Sequence, residues 1–243
     1  MRYATFNVLA DAYTSYGDYR HVQPELMQPG MRLGHLTQHI NSLGADVIGI
    51  QEADENLVEV FEADARWQSL WTPKGRNKPD GCLTLVKQGV EIADHESHAY
   101  DDESGHIFQL TRIGEVVVAN AHIKWAPPED PEHIGVAQMR ELLDTIGDQA
   151  SAIILADCND RPGGRVRRLV EQAGFTNLSG ESPTSIVNGE LFALDLLAIR
   201  GLKGTLIPSD YDLHSIPSEI CASDHIPVVA DVMFSATSDI RRI

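Results

Sequence analysis

The chain has 243 residues, with 19 Lys+Arg against 36 Asp+Glu, a formal net charge of −17, and a hydrophobic fraction of 42%. That length supports a core without disulfide staples, and that composition excludes a disordered chain. The charge excludes bulk coating of long duplex nucleic acid or of an anionic membrane, so a phosphate-bearing partner must be met by a local patch or a metal ion.

Apolar β-branched runs alternate with amphipathic segments along the chain. Tyr3 to Leu9 predicts a strand. Leu33, Leu36, His39, Ile40 and Leu43 recur at helical spacing, with Gly44 as the stop. Asp46 to Gln51 reads as a buried strand, and Leu57, Val60 and Phe61 as a short helix behind it. Further strands are expected at Leu83–Val86, Ile107–Leu110 and Val116–Val118. Val136, Met139, Leu142, Leu143 and Ile146 mark a helix, Ser151 to Asp157 a buried strand, and Val166 to Ala173 a helix closed by Gly174. Ala193 to Ile199 and Pro227 to Met233 complete the strands. Long non-periodic stretches at Ala10–Met31, Trp125–His133 and Ser179–Glu190 are the kind that carry function. No linker divides the chain, so one mixed α/β domain over 1–243 is expected.

Cys82, Cys158 and Cys221 lie far apart and form no C-x-x-C pair, which argues against a disulfide scaffold or a cysteine zinc site. The first residues enter a strand pattern with no leader-like apolar region, and no stretch reaches the roughly 18 apolar residues of a membrane helix. A cytoplasmic setting without membrane partners is the expectation.

Several strands end in residues suited to metal or phosphate chemistry: Phe6-Asn7, Gln51-Glu52, Asn120-Ala121-His122 and Asp157-Cys158-Asn159, with Ser223-Asp224-His225 just before the last strand. A carboxylate at a strand mouth is held by rigid backbone and suits a hard cation. Taken alone, each is as readily a turn or capping residue; together they mark a site. Asp195, inside the apolar run Leu194-Asp195-Leu196, demands a partner if buried.

In this order, together with Asp195, the motifs resemble the endonuclease/exonuclease/phosphatase superfamily from residue 3 to residue 233. Thr5-Phe6-Asn7-Val8-Leu9-Ala10-Asp11-x-Tyr13 and Asp80-Gly81-Cys82-Leu83-Thr84-Leu85-Val86-Lys87 are similar to the branch of the poly(A) deadenylases, nocturnin and the Angel proteins. The resemblance implies a four-layer α/β/β/α sandwich of two mixed sheets, and metal-assisted attack of water on a phosphorus ester with Mg²⁺ or Mn²⁺. It implies Glu52 as principal metal ligand, with Asn7 beside it and Asp224 as a further metal or water ligand. Asp157 positions or deprotonates the water, and Asn159 holds a phosphoryl oxygen. His122 and His225 stabilise the phosphorane, and Asp195 orients His225. Ala156, Cys158 and Ala121 depart from the family pattern; on an alternating strand Cys158 points away from the catalytic face.

Lys74, Arg76 and Lys78 precede Asp80-Gly81, and Arg161, Arg165, Arg167 and Arg168 follow the Asp157 motif. They read either as a phosphate-binding rim or as a solvated face, with Lys87 and Lys124 as further contributors and Trp125 as a stacking surface or a loop closure. Three functions follow. The first is a metal-dependent phosphodiesterase or nuclease acting on RNA or nucleotides. The second is a phosphatase of terminal or 2′,3′-cyclic phosphates, or of a small molecule, sugar or lipid. The third is a non-catalytic binding module on the same fold.

Overall fold

In the computed structural model, which describes residues 1–234, two six-stranded mixed sheets stack face to face between helices. The first sheet runs β13 (Leu202–Ile207), β14 (Val228–Phe234), β1 (Arg2–Asn7), β2 (Val47–Ala53), β4 (Gly81–Lys87), β3 (Trp67–Pro73). The second runs β5 (Asp94–Ala99), β6 (Ile107–Ile113), β7 (Val116–His122), β8 (Ala152–Asp157), β12 (Asp195–Arg200), β9 (Thr176–Asn177). A separate hairpin joins β10 (Ser185–Val187) to β11 (Glu190–Phe192). Helices α1 (Leu33–Ser42) and α2 (Glu55–Glu62) cover the first sheet, and α3 (Ile134–Ile146) and α4 (Arg165–Gln172) the second.

Strand periodicity builds the layers. On β2, Ile48 and Ile50 pack outward with Ile40, Leu57 and Phe61 of the helices, while Val47 faces the other sheet. On β8, Ile154 and Ala156 pack outward with Met139, Leu142 and Val166, while Ile153 and Leu155 face inward. Gly49 lies where the two sheets are in close contact: an added Cβ would stand 2.9 Å from that of Leu155. All four helices and all eight strands expected from periodicity are present; the expected four-layer sandwich is the observed one.

The strands without a legible pattern are β3, β5, β9 and β13, which are the four sheet edges, and the β10–β11 hairpin. Edge strands are half-solvated and carry polar residues that blunt further pairing. Asp94-His95-Glu96-Ser97-His98-Ala99 of β5 shows this composition. Cys158 is fully buried in the core beside α4, as expected, its thiol directed at the carbonyl of Leu194.

Candidate active site

The period-two rule that builds the core also delivers the site. Asn7 and Gln51 are partners across parallel β1 and β2; His122 and Asp157 are partners across parallel β7 and β8; Asp195 faces Asp157 across antiparallel β12. Each lies an even number of residues from an inward-facing apolar residue of its strand: Tyr3, Val47, Val118, Ile153 and Leu197. Side chains from both sheets therefore emerge at one mouth of the sandwich. Beneath them a buried polar layer joins the sheets: Gln51 Nε2 donates to Asn120 Oδ1 (2.8 Å), Asn120 Nδ2 to Thr84 Oγ1 (3.2 Å), and Thr84 Oγ1 to Gln109 Oε1 (2.7 Å). Paired this completely, the layer ties the two sheets at a fixed register without orphaned groups.

Glu52 follows Gln51 as the extra residue of a bulge: Gln51 pairs with Cys82, Ala53 pairs with Gly81, and Glu52 between them has φ +57°. That conformation is unfavourable for a residue with a Cβ, and it turns the carboxylate out of the strand's alternation into the mouth. The amide of Asn7 spans the two acids, donating to Glu52 Oε1 (3.0 Å) and Asp157 Oδ2 (2.9 Å), while its oxygen accepts from Leu9 N (3.0 Å). Ala10 N donates to Glu52 Oε2 at 3.1 Å. The Glu52 side chain is 13% exposed. Burial raises its pKa to about 7 despite the opposing pull of Lys74. Burial likewise lifts Asp157 above the ordinary carboxylate range, against the attraction of His225.

Two imidazoles flank Asp157. Its Oδ2 lies 3.7 Å from His122 Nε2 and 3.9 Å from His225 Nε2. His225 Nδ1 bonds Asp195 Oδ2 at 2.8 Å; although burial pulls this histidine down, Asp195, Asp157 and Asp224 together hold its pKa well above the usual value. The imidazolium is therefore the stable form, a hydrogen-bond donor at Nε2. His122 is held the other way, well below the usual value, by burial and by Lys74. Asn159, at φ +46°, donates to Ile123 O (2.9 Å) and places the same amide nitrogen 3.2 Å from His122 Nε2. Asp157, Asp195 and His225 also bring ligand-type atoms within 4.8 Å of one another.

Glu52, Asn7, His122, Asp157, Asn159, Asp195 and His225 thus converge as the sequence predicts. Asp224 is linked to them through its charge on Glu52 and His225, and its Oδ2 accepts from Tyr19 Oη at 2.8 Å. Asn7 stands beside Glu52 as expected and holds the two carboxylates together, its oxygen also accepting from a backbone amide.

The expected basic rim is largely redirected. Lys87 lies at the far end of β4 from Gly81, beside the Asp46 carboxylate (3.6 Å), and is removed from the site by the antiparallel run of that strand. Arg76 pairs with Glu103 at the surface. Lys74 is buried against Asp80. Arg167 is buried on the carbonyls of Asp160, Ala193 and Asp195, so it faces no ligand, and the half-buried Arg165 donates to the carbonyl of Asp130. Lys78, partly buried, is held below its ordinary pKa by burial and by repulsion from Lys74 and Lys124, with Asp80 opposing.

Trp125 and Arg161 meet at a cavity of about 450 Å³ next to Asn159, walled also by Ala126, Pro128, Val187 and Phe192. The Arg161 guanidinium lies 4.7 Å over the Phe192 ring. Trp125 is 60% exposed. Phe192 escapes sequence reasoning because it ends a three-residue hairpin strand with no periodic signal, and Tyr19 because it sits mid-loop in 10–31. The only signal for Tyr19 is membership of a long non-periodic stretch; Phe192 lies just beyond one and carries no signal of its own.

The Endonuclease/Exonuclease/phosphatase family model matches residues 4–225. The chain is 22% identical over 201 residues to the CCR4-Not complex 3′-5′-exoribonuclease subunit Ccr4 of Coccidioides immitis (strain RS), covering 66% of this chain but only about a quarter (26%) of that protein. Its fold is similar to that of ANGEL2, a 2′,3′-cyclic phosphatase, with a TM-score of 0.80 and 15% identity over 96% of this chain and 94% of the other. The human nocturnin catalytic domain, with bound sulfate, gives a TM-score of 0.73 and 17% identity over 97% and 93%. At these identities the structural likeness is one of fold.

Proposed function

This chain belongs to the endonuclease/exonuclease/phosphatase family, and we propose that it is a single-domain, Mg²⁺- or Mn²⁺-dependent phosphodiesterase that cleaves a phosphoester next to one nucleobase, at an RNA end or in a small nucleotide. Its general class, phosphoester hydrolase, is that of the family. The finer reading rests on one observation: a carboxylate flanked by two imidazoles, Asp157 between His122 and His225, opens beside an aromatic-walled cavity the size of a small-ligand pocket.

The donor set fits a divalent cation. Glu52 and Asp157 offer hard oxygens bridged by a neutral amide, and among the described residues no lysine or arginine forms a salt bridge with either. Bound there by Glu52, with Asp224 near, the ion would neutralise charge on a phosphoryl oxygen and acidify a water. The remaining work falls to side chains. Asp157, with its pKa raised toward neutrality, accepts the proton of the attacking water. His225, kept as imidazolium by Asp195, donates to an oxygen that gains charge, and His122 with Asn159 holds another. The cavity takes the base, with Trp125 as its stacking face and Arg161 at its rim.

A second reading, hydrolysis of a terminal 2′,3′-cyclic phosphate, is favoured by the cavity's size, which suits one nucleoside, and by the engagement of Lys87, Arg76, Arg165 and Arg167 with other protein groups, which shortens the basic track among the described residues. ANGEL2 supports it by analogy of fold. The test is product analysis with Mg²⁺ or Mn²⁺ and a panel of 3′-hydroxyl oligoadenylate, the same RNA ending in a 2′,3′-cyclic phosphate, single-stranded DNA, a dinucleotide and a sugar phosphate. Mononucleotide release, with a KM that rises with salt at a log–log slope of about one or two, is expected. Turnover of the cyclic end alone, with a flat salt response, selects the second reading. No turnover of any substrate with either metal rejects both and leaves a binding module.

A further inference from the structure

Lys74 stands in the loop between β3 and β4, yet its side chain is only 2% exposed. The entry of β4 makes that burial possible. At Gly81 the strands are so close that a Cβ would lie 2.2 Å from Thr72 O. Lys74 N donates to Asp80 O at 2.9 Å, which sets the two residues side by side. The Asp80 carboxylate, itself fully buried, is used at both oxygens: Tyr13 Oη donates to Oδ1 at 2.7 Å, and the Lys74 ammonium to Oδ2. On its other side the ammonium lies 3.0 Å from His122 Nδ1.

An ammonium has only hydrogens to offer. Nδ1 of His122 must therefore present its lone pair, and the ring proton of the neutral imidazole must sit on Nε2. That tautomer has a consequence at Asn159. The Asn159 amide cannot be turned around, because its oxygen would then face the Ile123 carbonyl 2.9 Å away. Nε2–H of His122 and Nδ2–H of Asn159 are then two donors, 3.2 Å apart, with no acceptor in either. Such a pair is satisfied when one oxygen accepts from both, the arrangement of a preorganised oxyanion site.

We propose that Lys74, anchored by Asp80 and Tyr13, is a positioning residue that fixes the Nε2–H tautomer of His122 and so makes His122 and Asn159 a two-donor cradle for one phosphoryl oxygen. The role of the cradle rests on the phosphoesterase reading above; the tautomer does not. Lys74 acts through His122 and does not touch the substrate. Without the ammonium, Asn159 Nδ2 becomes the better partner for Nε2, the proton moves to Nδ1, and the cradle loses one donor.

The experiment is two-bond ¹H–¹⁵N correlation of the His122 ring in the metal-free, substrate-free protein, for the wild type, Lys74→Met and Lys74→Arg. Steady-state kinetics on a dinucleotide with Mg²⁺ accompany it. The wild-type ring is expected to carry its proton on Nε2, and the Met variant on Nδ1 or as a mixture. In the Met variant kcat is expected to fall roughly 10–100-fold, as for loss of an outer hydrogen-bond partner, with KM within about twofold and partial rescue by Arg. A wild-type proton on Nδ1 overturns the proposal even if the Met variant does not fold. So does an unchanged tautomer in a folded Met variant, or a rise in KM at unchanged kcat, which would mark Lys74 as a direct phosphate contact. If no substrate turns over, the functional reading fails while the tautomer result still decides the role of Lys74.

Discussion

Asp195 Oδ2 stands 2.8 Å from Nδ1 of His225, and its other oxygen, Oδ1, is buried with no hydrogen-bond partner among the described residues. A fully buried carboxyl group with one oxygen unpaired is costly, and the bond to His225 is what offsets that cost. Asp195→Asn keeps the shape of the pair but offers His225 a neutral partner and removes the charge that favours the imidazolium. We expect kcat on a dinucleotide substrate to fall about 10²–10⁴-fold, with an unaltered far-ultraviolet circular dichroism spectrum. A loss below about threefold would show that His225 needs no ionised partner.

Glu52 gives a stability prediction with a definite sign. Its pKa is about 7 in the folded, metal-free protein against 4.5 for the unperturbed group. The group keeps its proton on folding, so the stabilisation present below pH 4.5 is lost as pH rises through 7. The full loss is about 3 kcal/mol by linkage. Glu52→Gln is therefore expected to raise the melting temperature of the metal-free protein at pH 8 by several degrees, and to have little effect at pH 4. Mg²⁺ or Mn²⁺ should raise the melting temperature of the wild type and leave the Gln variant unmoved. A Gln variant less stable than wild type at pH 8, or equally shifted by metal, would contradict this account.

Much of this was legible in the sequence for a physical reason. Asn7, His122, Asp157 and Asp195 stand in phase with the inward-facing apolar residues of their own strands, so the period that marks the core also marks the site. What was not legible depends on where strands end relative to one another. Lys87 closes the same Asp80–Lys87 motif that Asp80 opens, but an extended strand carries it to the opposite end of β4, away from the mouth. Glu52 reaches the mouth through a bulge, which a linear period does not foresee. Lys74 reads as one more exposed basic residue until Gly81 lets β3 and β4 close on it. The edge strands escaped because they lack the continuous apolar runs by which the buried strands are recognised.

Asp157→Asn separates binding from turnover. Asn7 Nδ2 and Asn159 N both donate to the Asp157 carboxylate (2.9 Å each), bonds that an Asn can retain only on its oxygen side. The variant lacks the proton acceptor between the two imidazoles, so kcat should fall about 10²–10⁴-fold. Affinity for a mononucleotide product, measured by calorimetry in the presence of Mg²⁺, should change far less. Near-normal turnover by this variant would remove Asp157 from the chemistry.

Gly49 tests the packing that holds the site together. It sits on the inner face of β2, where a methyl group would stand 2.9 Å from Leu155 Cβ and 3.1 Å from the Asn120 amide. Both neighbours are fully buried, and Asn120 belongs to the polar layer between the sheets. Gly49→Ala must therefore spread the sandwich or break that layer, and about 1–3 kcal/mol of destabilisation is expected in urea unfolding. Because the layer lies directly beneath Asn7 and Asp157, kcat should fall as well. A variant as stable and active as wild type would mean that the inter-sheet spacing is looser than the contacts indicate.

The cavity beside Asn159 makes the sharpest test of the substrate. Its walls are apolar and aromatic, and Arg161 lies over Phe192, which holds the guanidinium at the rim where it can turn toward a second phosphate. If a base stacks there, Trp125→Ala and Phe192→Ala should each raise KM for a dinucleotide about 5–100-fold, the equivalent of one stacking contact, with kcat changed little. The same substitutions should leave KM for the matching abasic dinucleotide unaltered, because it brings no ring to the cavity. Arg161→Ala should weaken both substrates and lower the salt slope by about one. Equal losses on the basic and abasic ligands after Trp125→Ala would show that the cavity shapes the loop and not the substrate, and would turn the search toward sugar or other base-free phosphates.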